Sequence, residues 1–250
     1  MLASRHHGPL RLQRAFHPEA DGTAHVVILH PPGGLVSGDQ LVLEADVASG
    51  GRGLLTSTGA TKLYRTRGFL AVSQNRLRVE AGADLEYVPQ ETVVFDDAMA
   101  RCDTRVVLAA GARFMGWEVI CLGRPAARER FLRGQLDLRF EVYRERRPLF
   151  IERGRVTGGS DLLEAQYGLR GRAAFGTFVA TDCASQVLRE ELYGRFADDG
   201  TWAVTELGEL AIVRVLAHDG LAVRRRLETA RRSVRRAWGR ESVDPAIWRS

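Results

Sequence analysis

Four acidic residues, Asp39, Glu91, Glu118 and Glu152, lie on or next to apolar segments, where an unpaired charge is unfavourable. Each has two ordinary uses, pairing with one of the many arginines or capping a turn, and one chemical use, as an oxygen ligand for a cation. Asp96, Asp97 and Asp103 form a separate, tighter group. Paired carboxyl groups are what glycoside hydrolysis requires, but a loop of solvated acids is the better reading of these three. His30 stands before two prolines and could ligate a metal, although such a histidine more often satisfies a local backbone group. Cys102, Cys121 and Cys183 are odd in number, far apart and without Cys-x-x-Cys spacing. That pattern supports neither a disulfide framework nor a zinc knuckle.

The segment that must position Asp39 is the run His30, Pro31, Pro32, Gly33, Gly34, Leu35, Val36, Ser37, Gly38, Asp39. Proline fixes φ, and glycine reaches positive φ or lets a second backbone approach. The run holds no nucleophile beside a base, and no Gly-Lys-Ser or Gly-Lys-Thr follows, so it is not a phosphate loop. It reads as architecture that delivers one carboxylate.

Between residues 24 and 159, short apolar segments alternate with glycine: 24–29, 40–47, 53–57, 75–79, 85–88, 105–108, 113–121, 135–143 and 149–157. Period-two patterning with glycine punctuation predicts strands. A weak repeat, marked by Gly50, Gly82 and Gly111 ahead of Leu54, Leu85 and Phe114, recurs roughly every 30 residues, the scale of stacked coils. The last third changes character. Residues 182–196 predict a helix with Asp182 as its N-cap and Val187, Leu188, Leu192 and Phe196 on one face. Asp219 and Gly220 open a stronger one, with Val223, Leu227, Ala230, Val234 and Trp238 at helical spacing. Strands at 202–205 and 210–215 separate them. The expected fold is mainly β: a β-helical, solenoid-like body over 1–160 and an α+β part over 161–250 packed on it, within one domain spanning 1–250.

Charge and composition narrow the function classes. Thirty-six basic against 31 acidic residues leave a net +5, but the two signs interleave and Lys62 is the only lysine. A nucleic-acid partner is therefore not expected. No apolar run approaches the ~20 residues that span a bilayer, and the first residues lack the apolar middle of a signal peptide, so no membrane association is expected and the cytoplasm is the expected compartment. His6 and His7 are adjacent and near the terminus, and are expected to be disordered.

The chain resembles the UreD (UreH) family of urease accessory proteins in five blocks that stand in family order and span nearly its whole length. They are residues 30–39 with His30, Pro31, Pro32, Gly33, Gly34 and Gly38; 59–65 with Lys62 and Tyr64; 85–95 with Pro89 and Gln90; 117–125 with Gly123 and Arg124; and the ending at 245–248. The resemblance implies a β-helical scaffold that is not an enzyme and works in a complex with the accessory proteins UreF and UreG on the urease apoprotein. It also implies a water-filled passage for Ni²⁺, with nickel in transit and no permanently bound cofactor. On that reading Asp39, Glu118, Glu152 and, less strongly, Glu91 are the candidate transient ligands. Lys62, Tyr64 and Arg65 read as a solvated strand end with Tyr64 in the core. The arginines of the last helix, Arg224, Arg225, Arg226, Arg231, Arg232, Arg235 and Arg236, read as a solvated flank on which Arg232 and Arg236 could meet an acidic partner. Family members carry further strand-forming sequence ahead of the stretch matched by 8–14, so N-terminal strands are expected to be missing here. The competing reading is a β-solenoid carbohydrate-active enzyme using Asp96, Asp97 or Asp103.

Overall fold

A computed structural model describes residues 3–241 and 243–249. A short strand β1 (Arg11–Leu12) lies antiparallel on β2 (Ala24–Leu29). From β2 the chain winds in coils of three strands. The first coil is β2, β3 (Gly34–Leu35) and β4 (Gln40–Val47); the second is β5 (Arg52–Ser57), β6 (Thr61–Leu63) and β7 (Ala71–Val79); the third is β8 (Asp84–Tyr87), β9 (Thr92–Val94) and β10 (Ala98–Leu108). Corresponding strands of successive coils pair in parallel, β2 with β5 and β5 with β8, β3 with β6 and β6 with β9, and β4 with β7 and β7 with β10. This is the solenoid expected from the repeat. Gly50, Gly82 and Gly111 occupy equivalent turns at φ +70, +67 and +70, so each ordinary L residue there would meet left-handed strain.

β11 (Arg113–Leu122) and β12 (Gly134–Arg144) continue the stack beside β8 and β10, after which the winding ends. β13 (Arg147–Thr157) turns back antiparallel on β12. β14 (Ala174–Thr181) lies antiparallel on β11. It is followed by α1 (Ser185–Tyr193), β15 (Trp202–Leu207), β16 (Leu210–Ala217) and α2 (Gly220–Ala237). β14, β16 and β15 thereby extend the sheet of β2, β5, β8 and β11, while β13, β12, β10, β7 and β4 form the opposing sheet. β14 escapes the period-two reading because almost all of its residues are buried, which erases the alternation.

Both helices cover the outer face of the first sheet, where Trp117, Phe178, Leu188, Leu192, Val223, Leu227 and Val234 form one core. Asp219 caps α2 as expected, accepting from the Ala222 N–H at 2.8 Å. α1 differs: Asp182 sits at φ +50 ahead of the helix, the N-cap is Ala184 with no side-chain bond, and Val187 is exposed. The last helix is not flanked only by solvated arginine. Arg231 and Arg235 are fully buried and grip the equally buried Glu86 of β8, with Arg235 also on Glu19. They fall on the helical row of Leu227, so they prolong the buried face. A cluster of this kind holds only if every charge is paired, and Glu86 meets three arginines, Arg231, Arg235 and Arg240.

The proline-glycine run makes the first corner of the solenoid. Gly33 N–H donates to the His30 carbonyl at 2.7 Å, and Gly33 and Gly38 take φ +77 and +82. Gly34 is needed for a different reason: a Cβ there would lie 2.5 Å from the Lys62 carbonyl of the next coil. Gly34→Val should therefore destabilise the fold by about 3 kcal/mol through overpacking against backbone. Gly33→Val should cost about 2 kcal/mol through left-handed strain. Urea unfolding measures both, and a Gly34→Val chain within about 0.5 kcal/mol of the parent would count against the close approach.

Candidate functional site

Side chains that point between the two sheets are apolar at both ends of the strands and polar in the middle. One inner core gathers Leu77, Val79, Leu85, Val106, Leu108, Phe114, Phe140 and Phe150. Another gathers Leu35, Leu63, Ala71, Val94, Ala98, Ile120, Leu122 and Leu136. Between them, in register, run Ser73 and Asn75 of β7, Cys102 and Thr104 of β10, Glu118 of β11 and, across β14, Thr177. Because the coils stack in register, the inward polar pairs of β7 and β10 line up and, with Glu118 and Thr177 across from them, become a belt through the interior.

β11 explains why the belt is open. It is a straight strand that pairs first with β8, up to Gly116 opposite Tyr87, and then with β9, from Ile120 opposite Thr92. The corner between β8 and β9 is not paired with it, so residues 117–119 face a gap in the strand pairing on that side. The Pro89 carbonyl at that corner accepts from Trp117 Nε1 at 2.7 Å, and the Gln90 N–H donates to Ser57 Oγ at 3.0 Å.

Two cavities, of about 330 and about 410 Å³, lie along the belt, and Glu118 and Ile120 belong to the walls of both. The first is lined by His30, Lys62, Asn75, Tyr87, Gln90 and Cys102 and meets the surface at Thr58 and Gly59. The second is lined by Phe140, Glu152, Thr177, Trp202 and Arg214 and meets the surface at Gly154, Gly200 and Ala203. Burial pushes the Glu118 carboxyl up to about 8. The Thr104 hydroxyl bonded to it opposes that rise, and the charges of Glu152 and Asp103 add to it. Part of the Glu118 surface is open, but it faces the cavities and protein encloses the group. Asn75 Nδ2 donates to Thr104 Oγ1 at 2.9 Å, so the hydroxyl that serves Glu118 is itself held. Burial also pushes the Cys102 thiol and the Tyr87 hydroxyl up.

Of the four candidate acids, two therefore line a cavity. Glu118 has no ion-pair partner among the described residues, whereas Glu152 accepts from Arg214 Nε at 2.9 Å. Asp39 caps the corner turn, accepting from the Val36 N–H at 2.8 Å, and Glu91 lies against the start of α2, 3.6 Å from Arg224. Neither reaches a cavity wall. His30, expected to satisfy a local backbone group, instead has its Nδ1 buried with no hydrogen-bond partner among the described residues, and burial holds the imidazole below its usual range. Among the described residues no three His, Cys, Asp or Glu side chains converge to hold a metal ion.

The carboxylate triplet does not form a catalytic pair. Asp96 accepts from the Leu132 and Arg133 N–H groups at 2.8 Å each, Asp97 takes φ +67 and pairs with Arg65, and Asp103 lies on the opposite face of β10 from Thr104. The carbohydrate-enzyme reading thereby loses its chemical group.

The sequence profile of the UreD urease accessory protein family matches residues 1–249. The chain belongs to that family. It is 44% identical over 218 residues to the urease accessory protein UreD of Alcanivorax borkumensis, covering 86% of this chain and 74% of that protein. It is 39% identical over 251 residues to UreD of Dechloromonas aromatica, covering 98% and 87%, and 40% identical over 245 residues to UreD of Pseudomonas fluorescens, covering 98% and 87%. The UreD-like blocks prove to be largely corner chemistry. The 30–39 and 59–65 blocks pack on one another at Gly34, with the Tyr64 ring tilted against Phe95 at 4.8 Å between centroids. Gly123 takes φ +72, and Arg124 binds Glu129 while lying 4.7 Å over Phe95. The terminal block brings Trp248 against Trp117 and bonds its Nε1 to Thr56 Oγ1 at 3.1 Å. Lys62, read as a solvated strand end, is half-buried in the first cavity wall.

Thr104, Asn75 and Tyr87 were not singled out by sequence. A signal was present: the inward positions of β7 read Ala71, Ser73, Asn75, Leu77, and those of β10 read Ala100, Cys102, Thr104, Val106. Polar pairs stand in the same register in both.

Because the folded chain retains the Glu118 proton that the unfolded chain releases above its ordinary value of 4.5, stability is greatest below that pH and is lost as pH rises toward about 8. Glu118→Gln removes this loss. Thermal unfolding of the two chains should match at low pH and separate progressively up to pH 8 in favour of the variant; parallel curves would show that Glu118 is charged throughout.

Proposed function

We propose that this UreD-family chain is a non-enzymatic scaffold and nickel chaperone of the cytoplasm, which binds apo-urease together with UreF and UreG and assists Ni²⁺ delivery to the urease active site. The observation that carries the reading is Glu118, an unpaired carboxyl in the shared wall of two cavities that meet the surface at different places. A cation handed along such a route needs weak, spaced oxygen ligands and no site that retains it. Glu118 and Glu152 are those ligands, the second freed when an arriving ion competes with Arg214 for its oxygens.

Replacing Glu118 and Glu152 together by alanine should lower the nickel content and activity of urease matured with this protein roughly tenfold, while co-purification with the accessory partners persists. Removing Glu152 also leaves the Arg214 charge unopposed in the wall, which raises the barrier to a cation. Full nickel loading with the double variant would remove both acids from the route.

Partner docking is assigned to the carboxyl-terminal helix. Arg232 and Arg236 are partly exposed on the last helix, paired with Asp244 and Glu191, and an acidic surface would reach them by competing with those intramolecular partners. Reversing both charges should reduce recovery of the UreF-like partner by several-fold, with steeper loss at low salt; unchanged recovery would place the contact elsewhere.

A further inference from the structure

Where the chain passes from β3 to β4, from β6 to β7, from β9 to β10 and from β11 to β12, it exposes one large apolar side chain each time. Val36, Phe69, Met99 and Leu132 are 50, 72, 37 and 53% exposed. They stand on successive coils of one corner, tied rung to rung by hydrogen bonds. The Phe69 N–H donates to Ser37 Oγ at 3.2 Å, the Met99 N–H to Thr66 Oγ1 at 2.9 Å, and the Leu132 N–H to Asp96 Oδ1 at 2.8 Å. Three strand spacings make this a ridge on the order of 14 Å long. Single exposed apolar residues are ordinary, but a row of them marks a contact surface. Charge along the corner is sorted by direction. The acids are taken up locally, Asp39 by the Val36 N–H, Asp96 by two backbone N–H groups and Arg133, Asp97 by Arg65, and Glu129 by Arg124. Arg67 in the β6–β7 loop, Arg101 two residues beyond Met99 and Arg128 in the β11–β12 loop are exposed and have no acid partner among the described residues. The corner is therefore apolar along its crest and cationic on its flanks. A second copy meeting it through the same face would set those cations against themselves.

We propose that this corner is a docking ridge for a protein partner whose surface carries an apolar groove rimmed by carboxylates. The four apolar side chains enter the groove, and Arg67, Arg101 and Arg128 meet its rim. The ridge is distinct from the surface assigned to α2, because α2 covers the outer face of the first sheet and this corner borders the opposing one. β6 is only three residues long and leads from the opening at Thr58 and Gly59 to the corner, a span of about 10 Å. A partner seated on the ridge thus lies beside the mouth of the first cavity. Its part in cation delivery rests on the passage reading given above, whereas the docking itself follows from the surface.

Two double variants test the crest and the flanks separately. Phe69→Ser with Leu132→Ser removes apolar surface, and Arg67→Glu with Arg128→Glu reverses charge; all four side chains are exposed, so both variants should unfold at the parent's temperature. The full chain, immobilised through a tag, is titrated with purified urease apoprotein, UreF-like protein and UreG-like protein in turn. The parent should bind at least one of them, and both variants should weaken that binding by roughly tenfold or more. The loss in the arginine variant should shrink as salt is raised, while the loss in the crest variant persists. Parent-like binding of all three proteins by both variants would overturn the ridge and leave the accessory reading standing. Retention of the parent, but not of the variants, on vesicles of phosphatidylcholine with about a quarter phosphatidylserine would assign the ridge to a lipid surface and overturn the protein partner. A parent that binds none of the three proteins would overturn both the ridge and the accessory reading.

Discussion

Everything described here depends on the register between coils. β4, β7, β10 and β12 pair residue for residue along most of their length, and so do β5 with β8 and β8 with β11 where they meet. In a parallel stack a side chain recurs above its counterpart in the next coil, so apolar positions build two cores and the polar positions between them build one belt. A shift of one residue in any strand would turn its inward set outward and break the belt at that rung. The corner glycines hold the register. Gly34 lets the first corner rest on the second without a side chain between them.

The first sheet treats its two faces differently, and two acids on neighbouring strands show it. Glu86 on β8 points to the helices, where three arginines neutralise it and the ends of the chain are drawn in through Glu19, Asp21 and Arg240. Glu118 on β11 points to the opposing sheet, where only a hydroxyl meets it. The first is fastened and contributes to holding α2 on the sheet. The second has no such fastening and stands in the wall shared by the two cavities. One strand pair thus separates a fastened acid from an unfastened one.

Much of this was legible from the amino acids. Period-two segments and recurring glycines predict stacked coils, and the spacing from Val223 to Trp238 predicts α2 with Asp219 as its cap. Less legible was anything that depends on neighbours from distant coils. Asp39 and Glu118 look alike in sequence, each an acid beside an apolar run, but a turn takes up one and a gap in strand pairing leaves the other free. Arg231 and Arg235 look like surface arginines until Glu86, far away in the chain, is found beneath them. Asp182 fails as a cap because the chain enters α1 three residues later through Ala184. β14 hides because a strand buried on both faces carries no alternation.

Lys62 bears the only side-chain primary amine in the chain, and it lines the first cavity beside Gly33 and His30. Acylating reagents, aldehyde fixatives and amine-coupled sensor surfaces therefore have a single internal point of attachment, apart from the α-amino terminus. Such treatments would not decorate this molecule at random. At Lys62 they would anchor it through the wall of the first cavity, so immobilisation through that amine and immobilisation through an engineered tag amount to two different states of the same protein.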